Sequence, residues 1–230
     1  SVWPMGRRMA VIGAAVFVAC SIFGSSDSFA FWEDDLTYEG ESVYNYLQVK
    51  EDENTTALST NVLFGVQSVL VKDGALTGMY YDYALAAPMM LEEPEDAHSL
   101  LILGMGTGTY ATQCRRYFDG MQIEGVEIDE KITALAHIFF SLDKDIPVTT
   151  YDGRAYLAGT DQKYDVIMVD AYQDITIPFQ MSSQEFFSMV RSHLTENGVM
   201  IVNMNMISDR ADGINAYLQD TIATGFENVY

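Results

Sequence analysis

The sequence predicts an α/β fold: a doubly wound parallel sheet covered by helices on both faces, preceded by a small antiparallel β-subdomain and an N-terminal hydrophobic helix. Three observations predict it. From Ser99 onward, short apolar runs at residues 100–103, 121–126, 147–151, 166–169 and 199–202 alternate with helical stretches near residues 108–118, 130–140, 153–158, 183–194 and 209–223. Near-continuous apolar strands separated by helices make βαβ units whose sheet is buried on both sides. Residues 41–50 and 66–72 are instead rich in β-branched and aromatic side chains, with Asp73-Gly74 as a turn signal between strand-like stretches. Finally, 230 residues that are 49% hydrophobic with only 5 Pro suffice for one good-sized core and a small appendage, and exclude a disordered or collagenous chain.

The elements follow in order. Residues 9–24 carry no charge and come after Arg7 and Arg8, so they read as a membrane anchor or a signal-like segment, with Ser28-Phe29-Ala30 offering small residues at the cleavage positions. The basic pair before the span and Glu33, Asp34 and Asp35 after it place the following domain outside if this is the only span, and in the cytoplasm if further helices precede Ser1. The chain then divides into the anchor over residues 1–32, a β-subdomain over 33–78 and the α/β domain over 79–230. The last opens with a helix over residues 79–91, and Asn197-Gly198 closes the helix that starts at 183 through a left-handed cap.

Charge narrows the partners. Twelve basic against thirty-three acidic side chains give a net charge of −21, which repels a phosphate backbone and removes nucleic acid as a partner. Between Glu33 and Asp96 fourteen acids face only Lys50 and Lys72, a surface suited to a cationic small molecule or simply to solvation. Cys20 and Cys114 read as reduced, and His98, His137 and His193 lack metal-ligand spacing, so no metal is expected.

The chemistry-bearing residues lie at strand ends. LILGMGTG runs from an apolar strand into a turn with Gly104, Gly106 and Gly108, where a ligand can approach the backbone closely. Glu127 and Asp129 end the next strand about 20 residues on, where an acid can accept two ribose hydroxyls. Asp152, followed by Gly153, ends the strand after that, and Asp170 ends the next. Four successive strands thus deliver glycines or acids to one carboxyl edge, the place where open α/β sheets bind ligands. Asp129 and Asp152 have a second reading as helix caps, and Asp174 as a turn residue ahead of Pro178.

The ordered set GMGTG, VEID, YDGRAYL, YDVIMVDAY and SSQEFFSMVRSHLTENGVMIVN resembles the spermidine synthase (polyamine aminopropyltransferase) family, in particular its membrane-fused bacterial branch. The resemblance runs from about Glu41 to the end of the chain. It implies a Rossmann-like sheet of the class I methyltransferase type and transfer of an aminopropyl group from decarboxylated S-adenosylmethionine to a polyamine, leaving methylthioadenosine. It implies Asp170 as the base with help from Tyr80, Asp174 and Tyr81 on the acceptor, Glu127 on the ribose and Asp152 on adenine. Gln48, in ESVYNYLQV, matches a ligand-contacting glutamine. The resemblance further implies no permanently bound cofactor and pairing of copies, a homodimer or a tetramer, as in soluble relatives, while the uncharged N-terminal run implies membrane attachment through that helix. Thr107 departs from the pattern, since the family's glycine turn usually has an aspartate there. That departure keeps two other readings open: a methyltransferase using ordinary S-adenosylmethionine, and an inert membrane-tethered relative acting as a binding or structural subunit.

Overall fold

The computed structural model describes residues 3–23, 33, 35–61, 65–171, 177–204 and 213–230. An N-terminal helix α1 spans Trp3–Phe23. Four strands, β1 (Leu36–Glu41), β2 (Tyr46–Glu51), β3 (Thr55–Thr60) and β4 (Val66–Val71), form an antiparallel sheet in sequence order. Turn chemistry sets its hairpins. The Ser42 hydroxyl accepts from the N–H groups of Tyr44 and Asn45 between β1 and β2, and the Asp52 carboxylate accepts from Asn54 and Thr55 between β2 and β3.

After a short helix α2 (Tyr80–Ala84) come β5 (Ser99–Leu103), α3 (Thr109–Tyr117), β6 (Gln122–Glu127), α4 (Glu130–Phe139), β7 (Val148–Thr150), α5 (Gly153–Gly159), β8 (Tyr164–Val169), α6 (Gln184–His193), β9 (Leu194–Val202) and α7 (Ile214–Ala223). The five strands are parallel in the order β7-β6-β5-β8-β9, so the chain leaves β5 in both directions and a crevice opens beside β5 and β8. Alternation along β5 shows both faces buried. Leu100 and Ile102 pack with Tyr110, Ala111 and Cys114 of α3, whereas Leu101 and Leu103 pack with Leu157, Phe186 and Phe187 of α5 and α6. The antiparallel sheet seats Leu47, Val49 and Leu58 on Ile132 and Leu135 of α4 and on Phe140.

Several expectations are corrected. Among the described residues no helix is long and apolar enough to cross a membrane. In α1, Arg7 and Arg8 lie within the helix, and the uncharged stretch from Met9 to its end is about 22 Å long against a hydrocarbon core of about 30 Å. The expected membrane span, and with it both membrane locations of the domain, is therefore overturned for the described helix. The helix over residues 79–91 is interrupted: α2 ends at Ala84, and 3-10 turns continue through Pro88, which has no N–H to carry the α ladder. Asp73-Gly74 does not join two strands but ends β4, with Gly74 bonded back to Val71. Gly198 is not left-handed and caps no helix. Instead β9 begins at Leu194, and residues 195–198 form a bulge between the pairs Tyr164–Leu194 and Val166–Val199.

Candidate active site

A cavity of about 440 Å³ opens at the carboxyl ends of β5, β6 and β8. The antiparallel sheet closes it from the other side through Leu58, Thr60, Gln67 and Ser68. Gly104, Gly106, Gly108, Glu127, Asp152, Gly153, Tyr80, Tyr81 and Asp170 all line it, so nine of the expected residues share one space. Asp174 lies outside the described residues.

The glycine turn is shaped by need. Gly104 has φ +92°, and a Cβ there would sit 2.4 Å from the Asp170 carbonyl oxygen, so this position lets β5 and β8 end side by side. Gly106 donates its backbone N–H to Glu127 Oε2 at 2.8 Å, and Asp129 donates its own to Glu127 Oε1 at 3.0 Å. Burial pushes the Glu127 carboxyl above its ordinary range, while these backbone donors pull the other way. A carboxylate pinned at both oxygens by backbone groups is a fixed acceptor.

At the other end Tyr80, from the start of α2, donates its hydroxyl to Asp170 Oδ2, and Asn203, just past β9, donates to Oδ1 at 2.9 Å. Burial raises the half-buried Asp170 carboxyl to about 7, against the stabilising pull of those two donors, with the negative charge of Glu127 adding to the rise. The Tyr80 hydroxyl is raised too, first by burial and then by the Asp170 charge, and stays a neutral donor. A carboxyl poised near neutrality can take a proton during a reaction and give it up between turnovers.

Tyr81 presents its ring to the cavity but commits its hydroxyl to β4, donating to the Val69 carbonyl at 2.8 Å and accepting from the Val69 N–H at 2.9 Å. Asp152 caps α5, accepting from Ala155 at 2.8 Å, and also faces the cavity. Thr107, 1% exposed, stands 2.5 Å from the Ser68 hydroxyl and 3.1 Å from that of Thr109, a cluster of neutral hydroxyls on the cavity wall.

Two expected contacts are placed elsewhere. Gln48 does not line the cavity. Pairing puts Leu58 opposite Val49, Thr60 opposite Leu47 and Ser68 opposite Leu58, so the cavity meets the sheet face carrying those residues, and Gln48 lies on the other face beside Tyr46. Asp129 also stays out of the lining: its carboxylate caps α4 by accepting from Lys131 at 3.1 Å, and the rest of it binds Ser42 and Asn45.

The sequence pattern does not single out Asn203 or Gln67. Asn203 could have been found by the signal that marks Asp170, a polar side chain at the carboxyl end of an apolar strand. Gln67 could not. It reaches the cavity at a β-bulge, where Leu58 pairs with Ser68 and Ser59 with Val66, leaving Gln67 unopposed.

Proteins of related sequence and shape are known. A model of the spermine/spermidine synthase domain matches residues 79–227. The chain is 64% identical over 222 residues to a probable polyamine aminopropyl transferase of Bifidobacterium longum, covering 96% of this chain and 49% of that protein. The chain spans about half the length of the curated relatives it matches. Spermidine synthase from Thermotoga maritima superposes with a TM-score of 0.65 at 17% identity, over 84% of this chain and 65% of that one. Human methyltransferase-like protein 13 in complex with SAH superposes with a TM-score of 0.57 at 26% identity, over 66% of this chain and 74% of that one.

Proposed function

The chain belongs to the spermine/spermidine synthase family, and on that premise we propose that it transfers the aminopropyl group of decarboxylated S-adenosylmethionine to a polyamine nitrogen. The observation that carries the proposal is the division of one cavity between a fixed acceptor, Glu127, and a proton-accepting carboxyl, Asp170 with Tyr80 and Asn203. In this reading Glu127 accepts the ribose hydroxyls, Asp152 the adenine amine, and the turn through Gly104 and Gly106 lets the nucleoside lie against the backbone. The polyamine nitrogen attacks the carbon next to the sulfonium, the C–S bond breaks, and its electrons return to sulfur as neutral methylthioadenosine. The new N–C bond leaves an ammonium whose proton passes to Asp170, and Tyr80 steadies that carboxylate while it is charged. Asp174 and Tyr81 complete the acceptor side in this proposal.

One observation favours a second reading, methyl transfer from ordinary S-adenosylmethionine. The Ser68, Thr107 and Thr109 hydroxyls bring no negative charge to the cavity wall and so do not repel the carboxylate of that donor. Incubation with a diamine and each donor in turn, followed by mass spectrometry, separates the two. Aminopropyl transfer gives methylthioadenosine and an amine heavier by one aminopropyl unit only with the decarboxylated donor. A methylated amine with S-adenosylhomocysteine establishes the second reading, and no product from either donor removes both.

A further inference from the structure

We infer that Asp129 is a positioning residue that latches the β1–β2 turn over the nucleoside end of the cavity and, through the same residue's backbone, holds Glu127 in place. This rests on the reading of Glu127 as the nucleoside's acceptor. Asp129 is 2% exposed, far from where an unneeded carboxylate would sit, because burying a charge without partners is costly. Its partners come from the β1–β2 turn and from the start of α4. Oδ2 accepts from the Ser42 hydroxyl at 2.5 Å and from the Asn45 amide at 3.1 Å, 87 and 84 residues away in sequence, and Oδ1 accepts from the Lys131 N–H at the start of α4. Its own N–H reaches Glu127 Oε1, and Glu127 Oε2 reaches Gly106. One unbroken chain of hydrogen bonds therefore runs from the turn to Asp129, to Glu127 and to the glycine turn.

The turn that is held in this way matters to the site. Tyr44 and Asn45 both line the cavity, and β2, which follows them, packs its apolar side chains Leu47 and Val49 on α4. Ser42 closes the turn on itself and Asn61 donates to Asn45 Oδ1 at 3.4 Å, whereas the Asp129 carboxylate ties it to the end of β6 and the start of α4. Lys131 adds a second tie by donating from Nζ to the Glu41 carbonyl at 2.7 Å. Asp129 touches no reacting atom in this arrangement; it acts through Glu127 and through the wall formed by Tyr44 and Asn45.

The test loosens the latch from its far side, leaving the cap of α4 untouched and removing a hydroxyl that also accepts from the N–H groups of Tyr44 and Asn45. Ser42→Ala should weaken methylthioadenosine binding about tenfold by calorimetry and raise the donor KM by the same factor, with kcat at saturating donor unchanged. Ser42→Thr, which keeps the hydroxyl, should restore both. Hydrogen exchange at the Gly106 and Asp129 amides, which donate to Glu127 and not to Ser42, should quicken in Ser42→Ala and slow again when methylthioadenosine binds. Glu127→Gln serves as the reference. If Glu127→Gln weakens nucleoside binding and Ser42→Ala leaves both binding and KM as in the parent, the latch is overturned while the site stands. If Glu127→Gln binds methylthioadenosine normally, the nucleoside reading and the latch fall together.

Discussion

The two carboxylates at opposite ends of the cavity are built differently. Glu127 is held at both oxygens by backbone N–H groups of Gly106 and Asp129, donors that cannot rotate away. Asp170 is held by two side chains, Tyr80 from α2 and Asn203 from just past β9. Burial raises both, yet the surroundings suit them to different work. Backbone donors make a rigid acceptor for hydroxyl groups that keep their protons. Side-chain donors around a carboxyl near neutrality make a group that can gain and lose a proton. Two acids at equivalent strand ends of one sheet thus acquire separate roles from their donors.

The sharpest way to break this comparison is to remove the charge at one end alone. Asp170→Asn should lower kcat on the order of a thousandfold, as loss of a general base does, measured by release of methylthioadenosine. A fall of less than tenfold would take Asp170 out of proton transfer. Glu127→Gln should lower kcat/KM for the nucleoside donor by about 10 to 100-fold, the worth of a buried hydrogen bond to a charged group, with a smaller change in kcat. A loss confined to kcat would contradict its assignment to binding.

Tyr80→Phe sharpens the proton-transfer end. Its hydroxyl stabilises the charged form of Asp170, so its loss should move the alkaline-rising limb of the pH–rate profile upward from near 7 by about half a unit to one unit, with about a two- to fivefold fall in activity at pH 7. Because the amine substrate titrates identically in both proteins, the displacement between the two profiles reports Asp170. An unchanged limb assigns it to another group.

The smallest effect is on stability. The folded Asp170 carboxyl titrates near 7 and the unfolded one near its ordinary value of 3.8, so the native state holds the extra proton between those limits, and stability falls as pH rises from about 4 to 7. Asp170→Asn has no charge to bury and should raise Tm by about 2 to 4 °C at pH 8, the gain shrinking toward pH 4. Differential scanning calorimetry at the two pH values reads it, and a lower Tm at pH 8 would mean that ionised Asp170 stabilises the fold.

How much of this was legible in the sequence follows from periodicity. Apolar strands ending in Gly or acid announced the parallel sheet and placed Gly104, Glu127, Asp152 and Asp170 on one edge, since the carboxyl ends of parallel strands converge whatever the loops do. Side-chain facing in the antiparallel sheet was not legible. Period two allows Gln48 either face, and only the pairing Leu58–Val49 and the bulge at Gln67 decide which glutamine meets the cavity. Asp129 and Glu127 share a motif, but residues two apart at a strand end can point to different neighbours, and the partners of Asp129 come from a turn more than 80 residues earlier. The apolar N-terminal run suggested a membrane span because it lacks charge, whereas its length falls short of one.

The division of labour between the two acids is tested most directly by titrating methylthioadenosine into Asp170→Asn and Glu127→Gln side by side in a calorimeter. The account predicts that Asp170→Asn binds within about threefold of the parent chain and that Glu127→Gln binds about 10 to 100-fold more weakly. Equal loss in both variants, or loss in Asp170→Asn alone, would contradict it.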